Sequence, residues 1–311
     1  MRFLIIADIH SNLEALAAVF SDLHNNSEKI DRILIPGDIV GYGANPNECC
    51  TIVRFLKSGK SSLKNEIQTI IQEIDINDTD KKNITDHIFS LSKKAVVVVG
   101  NHDREVIGQP SLCSMMAASA GAAARLTTKV LHKTNVRFLE SLWFRKKLRG
   151  FGIELVHSTP DYPQGYLYIK NASTLKYELL YSSITFSGHT HKPAAYLYTK
   201  EKRNISASVF IPADQFDNRL MLIERSSMER LETFDVSLKS GQRYYINPGS
   251  VGQPRDGTPK ASYMIYDTLA NQVSLKKAAY NTEAVKKKVL KAGIPFDLAD
   301  RIVKVFNFVN L

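Results

Sequence analysis

The chain has 311 residues, 44% hydrophobic and 23% charged, with 41 Lys and Arg against 31 Asp and Glu for a formal net charge of +10. No apolar stretch approaches the length of a membrane span, and the three cysteines (Cys49, Cys50 and Cys113, two of them adjacent) suit neither a disulfide framework nor a thiolate-rich zinc site. The charge fits a solvated basic surface or a field that attracts polyanions such as nucleotides, and charge alone does not choose between them.

The chain opens on Arg2 to Ala7, a short aliphatic run that reads as a buried strand and stops at a polar loop. This run is too short for a signal-peptide core, so a cytoplasmic location is expected and the sequons at Asn77, Asn83, Asn171 and Asn204 carry little weight. Asn12 offers an N-cap for a helix to about His24, with Leu13, Leu16, Ala17, Phe20 and Leu23 on one face. Arg32 to Ile35 is a second strand, followed by Pro36-Gly37-Asp38, and a helix follows near Asn47 to Lys57. The polar stretch from about Ser58 to Lys94 has a helical pattern at Leu63, Ile67, Ile70, Ile71 and Ile74. It reads as a solvated helical insertion that caps the site or mediates dimerisation.

Ala95 to Val99 is a third strand, ending at Gly100-Asn101-His102. Ser111 to Ala124 reads as a helix of small residues, and Ile153–Val156 and Ile184–Phe186 as strands that end in histidine-bearing loops. Ala194 to about Tyr266 shows short alternating segments, as in a second, more antiparallel sheet. Glu283 to Asn310 reads as C-terminal helices broken by Gly293 and Pro295. The alternation of strand, loop and helix predicts an α/β fold with buried strands, and all 311 residues are read as one domain.

Taken singly, each polar residue at a strand end has a plain explanation: a turn carboxylate, a cap, a hydrogen-bonded core histidine. Together they form a set: Asp8-x-His10, Gly37-Asp38, Gly100-Asn101-His102-Asp103, His157 and Gly188-His189-Thr190-His191. Each follows a predicted buried strand, where ligand sites gather in α/β sheets. Residues two apart in an extended segment point the same way, so Asp8 and His10 can face one crevice, as can His189 and His191. Carboxylate, amide oxygen and imidazole together suit divalent Zn, Mn or Fe. Asp38 is the best-placed residue to bridge two such ions.

These motifs, in this order, resemble the calcineurin-like metallophosphoesterase superfamily. The block from Asn247 to Gly257, containing Ser250, Gln253 and Arg255, resembles its small bacterial subgroup. The resemblance implies a four-layer α/β/β/α sandwich of two mixed sheets, with a dimetal site at the strand C-terminal ends. It implies that Asp8, His10 and His191 hold one metal and Asn101, His157 and His189 the other, with Asp38 bridging. It further implies that a metal-bridging hydroxide attacks phosphorus in line while His102 serves the leaving group as acid or donor.

A phosphodiesterase or phosphatase acting on a small ester, a nucleotide among the candidates, is the expected activity. A protein Ser/Thr phosphatase is the alternative, but the Asp-Arg pair of those enzymes is missing after Gly37-Asp38. A non-catalytic scaffold for a partner protein is the alternative of another class. Arg255 is a candidate phosphate contact or a plain turn arginine; Arg104 is a second candidate, and Tyr42 is read as presented near the mouth by Gly41 and Gly43. Tyr162, Tyr166 and Tyr168 could stack a base or simply pack on a sheet. His24, His87 and His132 are read as helical residues outside the site. The basic residues are scattered and no recognition motif appears, so nucleic acid is not an expected partner.

Overall fold

The computed structural model describes residues 1–109, 117–164, 180–201, 204–209 and 233–303. In chain order the strands are β1 (Arg2–Ile5), β2 (Arg32–Ile35), β3 (Ala95–Val97), β4 (Arg145–Leu148), β5 (Ile153–Val156) and β6 (Ile184–Phe186). They continue with β7 (Pro193–Glu201), β8 (Asn204–Val209), β9 (Phe234–Ser237), β10 (Arg243–Pro248), β11 (Lys260–Asp267) and β12 (Gln272–Ala279). The helices are α1 (Leu13–Asn25), α2 (Pro46–Ser58), α3 (Lys64–Gln72), α4 (Asp78–Ser90) and α5 (Asn101–Val106), then α6 (Ala118–Val130), α7 (Lys133–Glu140), α8 (Thr282–Lys291) and α9 (Phe296–Val303).

Two six-stranded mixed sheets result, flanked by helices, in the orders β3-β2-β1-β11-β12-β9 and β4-β5-β6-β10-β7-β8. In the first, β1, β2 and β3 run parallel. In the second, β5, β6 and β10 do so. Alternation along β1 assigns the faces: Leu4 joins the cluster formed with α1 and α2, whereas Phe3 and Ile5 point at Ile153, Leu155 and Phe186 of the second sheet. The two sheets therefore share one apolar layer, and their parallel strands end at a common edge.

Local chemistry explains the helix starts. Asn12 caps α1, its side-chain oxygen accepting from Ala15 N at 3.1 Å, and Pro46 opens α2 where its missing N–H costs nothing. Ile67, Ile71, Ile84 and Ile88 of α3 and α4 are buried in the same cluster as α1 and α2. The pair expected to be solvated is thus half sunk in the core, because its isoleucines recur at helical spacing.

Other expectations need correction. The segment from Ala194 to Tyr266 does not make a sheet of its own: β7, β8 and β10 join the second sheet, while β9 and β11 join the first, β11 lying antiparallel beside β1. Alternation reports a half-buried strand, not the sheet it joins. The third strand ends at Val97, because Val98 and Val99 turn to Trp143, whose carbonyl accepts from Val99 N at 2.9 Å. The helix expected over Ser111 to Ala124 begins at Ala118 and runs on to Val130, with residues 110–116 outside the described part. His132 is the exposed residue before α7 rather than a helical one. The expected C-terminal helices are α8 and α9, and residues 304–311 lie outside the described part, as do Cys113, Tyr166 and Tyr168.

Candidate metal centre

The loops after β1 and β2 zip together beyond the sheet. Asp8 N donates to Gly37 O at 3.2 Å, His10 N to Asp38 O at 3.0 Å and Ser11 N to Ile39 O at 3.0 Å. This extension is paid for in backbone strain. Of the ten non-glycine residues with positive φ among those described, seven lie here: Asp8, His10, Ser11, Asp38, Tyr42, His189 and His191. Each left-handed residue costs on the order of 1–2 kcal/mol, so the surrounding bonds must hold the conformation.

Backbone donors fix the carboxylates. His189 N donates to both oxygens of Asp8 at 3.0 Å, and His102 N, in the first turn of α5, donates to Asp38 Oδ1 at 2.8 Å. Both approaches need a glycine next door. A Cβ on Gly188 would sit 2.6 Å from Asp8 Oδ2, and one on Gly100 would collide with the Asp38 carboxylate.

The imidazoles are oriented from behind. His10 Nδ1 donates to Val40 O at 3.1 Å and His191 Nδ1 to Gln253 O at 2.7 Å. With those tautomers set, both Nε2 atoms carry lone pairs, and they face each other at 3.0 Å. Asp8 Oδ1 lies 3.8 Å from the first and 3.5 Å from the second. Three buried acceptors converging on one point repel unless a cation lies among them. His157 repeats the pattern: Nδ1 donates to Pro36 O at 2.6 Å, while Nε2 faces Asn101 Oδ1 at 2.9 Å and Asp38 Oδ2 at 3.3 Å. Asp38 Oδ2, which accepts no hydrogen bond, also lies 3.7 Å from His10 Nε2 and so stands between the two groups.

Three triplets each gather one ligand atom per residue within 4.8 Å: Asp8–His10–His191, His10–Asp38–His102 and Asp8–Asp38–His157. His189 belongs to none of them, and its ring stands 5.2 Å from that of His157.

The electrostatics register the crowding. Burial pushes Asp8 up to about 8, against the pull of His157. Burial acts the same way on Asp38, but His157, His102 and His10 hold it well below the usual carboxylate range. Burial drives His10 and His191 well down, so both are neutral. Burial also lowers His157, yet the Asp38 carboxylate lifts it to about 9. The proton on His157 thus occupies a position between Asn101 and Asp38 where a cation fits. The donor set of carboxylate, amide oxygen and imidazole suits borderline divalent ions.

Residues 1–193, well over half the chain, match the model of the calcineurin-like phosphoesterase family. The chain belongs to that family.

The likeness extends beyond the matched part. The chain is 32% identical over 301 residues, 96% of each sequence, to an uncharacterized protein of Methanocaldococcus jannaschii. Its fold is similar to that of a metallophosphoesterase from Sphaerobacter thermophilus at 30% identity, with a TM-score of 0.67 over 98% of this chain and 99% of that one. A hypothetical protein from Pyrococcus horikoshii shares the fold alone, at 14% identity and a TM-score of 0.60 over 97% of each chain. The calcineurin-like phosphoesterase described here is therefore an enzyme that hydrolyses phosphoesters with metal ions. No helix among its described residues is long and apolar enough to cross a membrane.

At the mouth of the phosphoesterase site, the Tyr42 ring lies 4.4 Å from that of His102 and 4.6 Å from that of His10. The Tyr42 hydroxyl accepts from Arg255 Nη2 at 3.3 Å, and the same nitrogen donates to Gln253 Oε1 at 3.0 Å. Arg255 N donates to His191 O at 3.1 Å, so the loop after β10 brings the guanidinium to the centre. Arg104 is placed differently. Its guanidinium sits over the Phe144 ring at 4.8 Å and donates to Gln164 O at 3.2 Å. Tyr162 is 39% exposed and makes no contact with the centre among the described interactions.

Sequence reasoning named no role for Asp103, Asn247, Ser250 or Gln253. Asp103 accepts from Ile39 N at 2.8 Å, Val40 N at 3.0 Å and Gly100 N at 2.9 Å, tying two site loops together. Ser250 Oγ donates to Asp8 O at 2.8 Å and accepts from Gln253 N at 2.8 Å. Asn247 Nδ2 reaches Gly188 O at 2.5 Å and Thr190 Oγ1 at 3.0 Å, bracing the last histidine loop. Asp103 sits inside the Gly-Asn-His-Asp motif, where position alone was a signal; the others carry none until the fold is known.

Proposed function

We propose that this phosphoesterase hydrolyses a small phosphate ester at a two-metal centre, with Asp8, His10 and His191 holding one ion, Asn101, His157 and His189 the other, and Asp38 both. The observation that carries the reading is the pair of imidazole Nε2 atoms facing at 3.0 Å with both tautomers fixed against donating. When bound, the ions supply Lewis acidity and neutralise charge on the phosphoryl group. Manganese, iron and zinc fit the donors best.

The chain's own groups do the rest. The Arg255 guanidinium has no carboxylate within ion-pair distance among the described residues, and its planar donors suit two phosphoryl oxygens. Tyr42 aims it and packs on His102. Burial pushes the His102 imidazole to about 4, against Asp38, with Arg255 and His157 lowering it further. The ring is thus neutral at pH 7, and it meets the ester as an N–H donor. Its Nδ1 is buried against Gly41, so Nε2 faces the leaving oxygen. A phosphoryl anion alongside raises the ring's proton affinity and favours proton delivery to that oxygen.

The test is hydrolysis of bis-p-nitrophenyl phosphate beside p-nitrophenyl phosphate with Mn, Fe, Zn and Mg, for wild type and His102→Ala. Wild-type turnover with a transition metal is expected, with His102→Ala slowed about 10²–10⁴-fold and its metal content unchanged. Loss of metal from His102→Ala would make that residue a ligand and overturn its role. The ratio of the two rates separates diesterase from phosphatase. A small ester as substrate fits the absence of the Asp-Arg pair after Asp38, where Ile39 and Val40 stand instead.

A further inference from the structure

A second recess lies between α1, the α3–α4 corner and the junction of β12 with α8, a cleft of about 490 Å³. Its lining carries four carboxylates, Glu14, Asp22, Asp75 and Asp80, and no lysine, arginine or histidine, in a chain of net charge +10. The floor between them is small and apolar, with Ala17 and Ala18 of α1 facing Ala278 and Ala279 of β12. Glu14 and Asp22 stand eight residues apart on one helix, roughly 12 Å at the α-helical rise. Acidic ends separated by an alanine floor match a linear aliphatic chain with an ammonium at each end.

Glu14 supplies an independent sign of a ligand. It is only 6% exposed, and while Oε1 pairs with Lys288 Nζ at 2.6 Å, Oε2 is buried without a hydrogen-bond partner. A buried carboxylate oxygen left so is costly, and a second ammonium would satisfy it. At the other end Asp22 accepts from the Tyr263 hydroxyl and from Asn26 Nδ2 at 3.2 Å, but neither it, Asp75 nor Asp80 has a cation within 4.0 Å among the described residues. An inorganic cation gains nothing from an alanine floor, whereas methylene groups bury apolar surface there.

We infer that this cleft is a binding site for a linear aliphatic polyamine, separate from the phosphoesterase centre. The inference does not rest on the reaction proposed above. It does have a route to that centre: Asn12, which caps α1 just before Glu14, donates to Gly252 O, and Gly252 N donates to Asp8 O. Occupancy of the cleft and placement of Asp8 therefore share one helix end.

The experiment is equilibrium dialysis of labelled spermidine against the full chain, with Asp22→Asn, Asp80→Asn and Ala18→Leu. Ala18 is partly exposed, so the added side chain fills the groove without entering the core. Saturable binding of one spermidine is expected, weakened roughly five- to tenfold by either carboxylate change and abolished by Ala18→Leu. Phosphoesterase activity of Ala18→Leu without polyamine should equal that of wild type. No saturable binding, binding undiminished in all three variants, or displacement by an equal concentration of magnesium would each overturn the site. So would capture of a lysine-rich peptide with no affinity for spermidine.

Discussion

Two groups of strand-end loops build the phosphoesterase centre, and they differ in what they contribute. The loops after β1, β2, β3, β5 and β6 carry the candidate donor atoms, from Asp8 to His191. The loop after β10 carries none of them; it holds the others in place. Ser250 fastens Asp8, Gln253 orients His191 and anchors Arg255, and Asn247 braces the turn at Gly188. The first group lies inside the span matched by the family model and the second outside it. Donor chemistry needs particular residue types at particular strand ends, which leaves a mark in any one sequence. Support needs only a hydroxyl, an amide or a carbonyl at the right point, which many sequences could supply.

The sharpest test of this division is at Asp38, the carboxylate facing both groups of imidazoles. Asp38→Asn should lower metal-dependent turnover by about 10³-fold or more, about 4 kcal/mol, and reduce bound metal measured by atomic absorption. Retention of full metal content and activity would show that Asp38 is not shared. A purely structural position should behave in the opposite way. Leu16 is fully buried beneath the first sheet, and Leu16→Ala should cost about 2–5 kcal/mol in denaturant unfolding while the folded fraction keeps its turnover. Metal removal comes next. Ions that bind only the folded chain stabilise it by mass action, about 2.7 kcal/mol at a hundredfold excess over Kd. Chelation should therefore lower Tm, and Asp38→Asn should flatten that response.

Much of this division was legible in the sequence, for physical reasons that differ by element. Asn12 followed by the Leu13, Leu16, Phe20, Leu23 spacing marked α1 almost to the residue, because the cap and the buried face are both local signals. The strand-end motifs were legible as a set because glycine stands where a carboxylate must approach closely, as at Gly100 and Gly188. Less was legible where the answer is set by distant partners. The strands between Ala194 and Tyr266 alternate as expected, but their division between two sheets follows from which neighbours they meet. Val98 and Val99 carry as much strand propensity as Val97, and only the Trp143 segment draws them out of the ladder. The clamp made by Asp103 joins loops 64 residues apart, a pairing invisible along the chain.

The smallest expected effect falls on the supporting loop, and it tests the distinction between donors and supports most directly. Ser250 is fully buried, and its hydroxyl both donates to Asp8 O and accepts from Gln253 N. Ser250→Ala removes two hydrogen bonds without opening a large cavity, so the fold should lose about 1–3 kcal/mol. Asp8 adopts a left-handed backbone, with φ of 52°, and depends on such bonds to keep it there. The expected consequence is a metal affinity weaker by about 10–100-fold, measured by competition with a chromophoric chelator, and turnover that recovers at saturating metal. Ser250→Thr, which retains the hydroxyl, should recover most of the affinity. If turnover stayed low at saturating metal, the β10 loop would be contributing to the reaction itself and the division of labour would fail. If affinity did not change, the remaining contact from Gly252 N to Asp8 O would be sufficient to hold the carbonyl, and support would be spread along the loop rather than centred on one side chain.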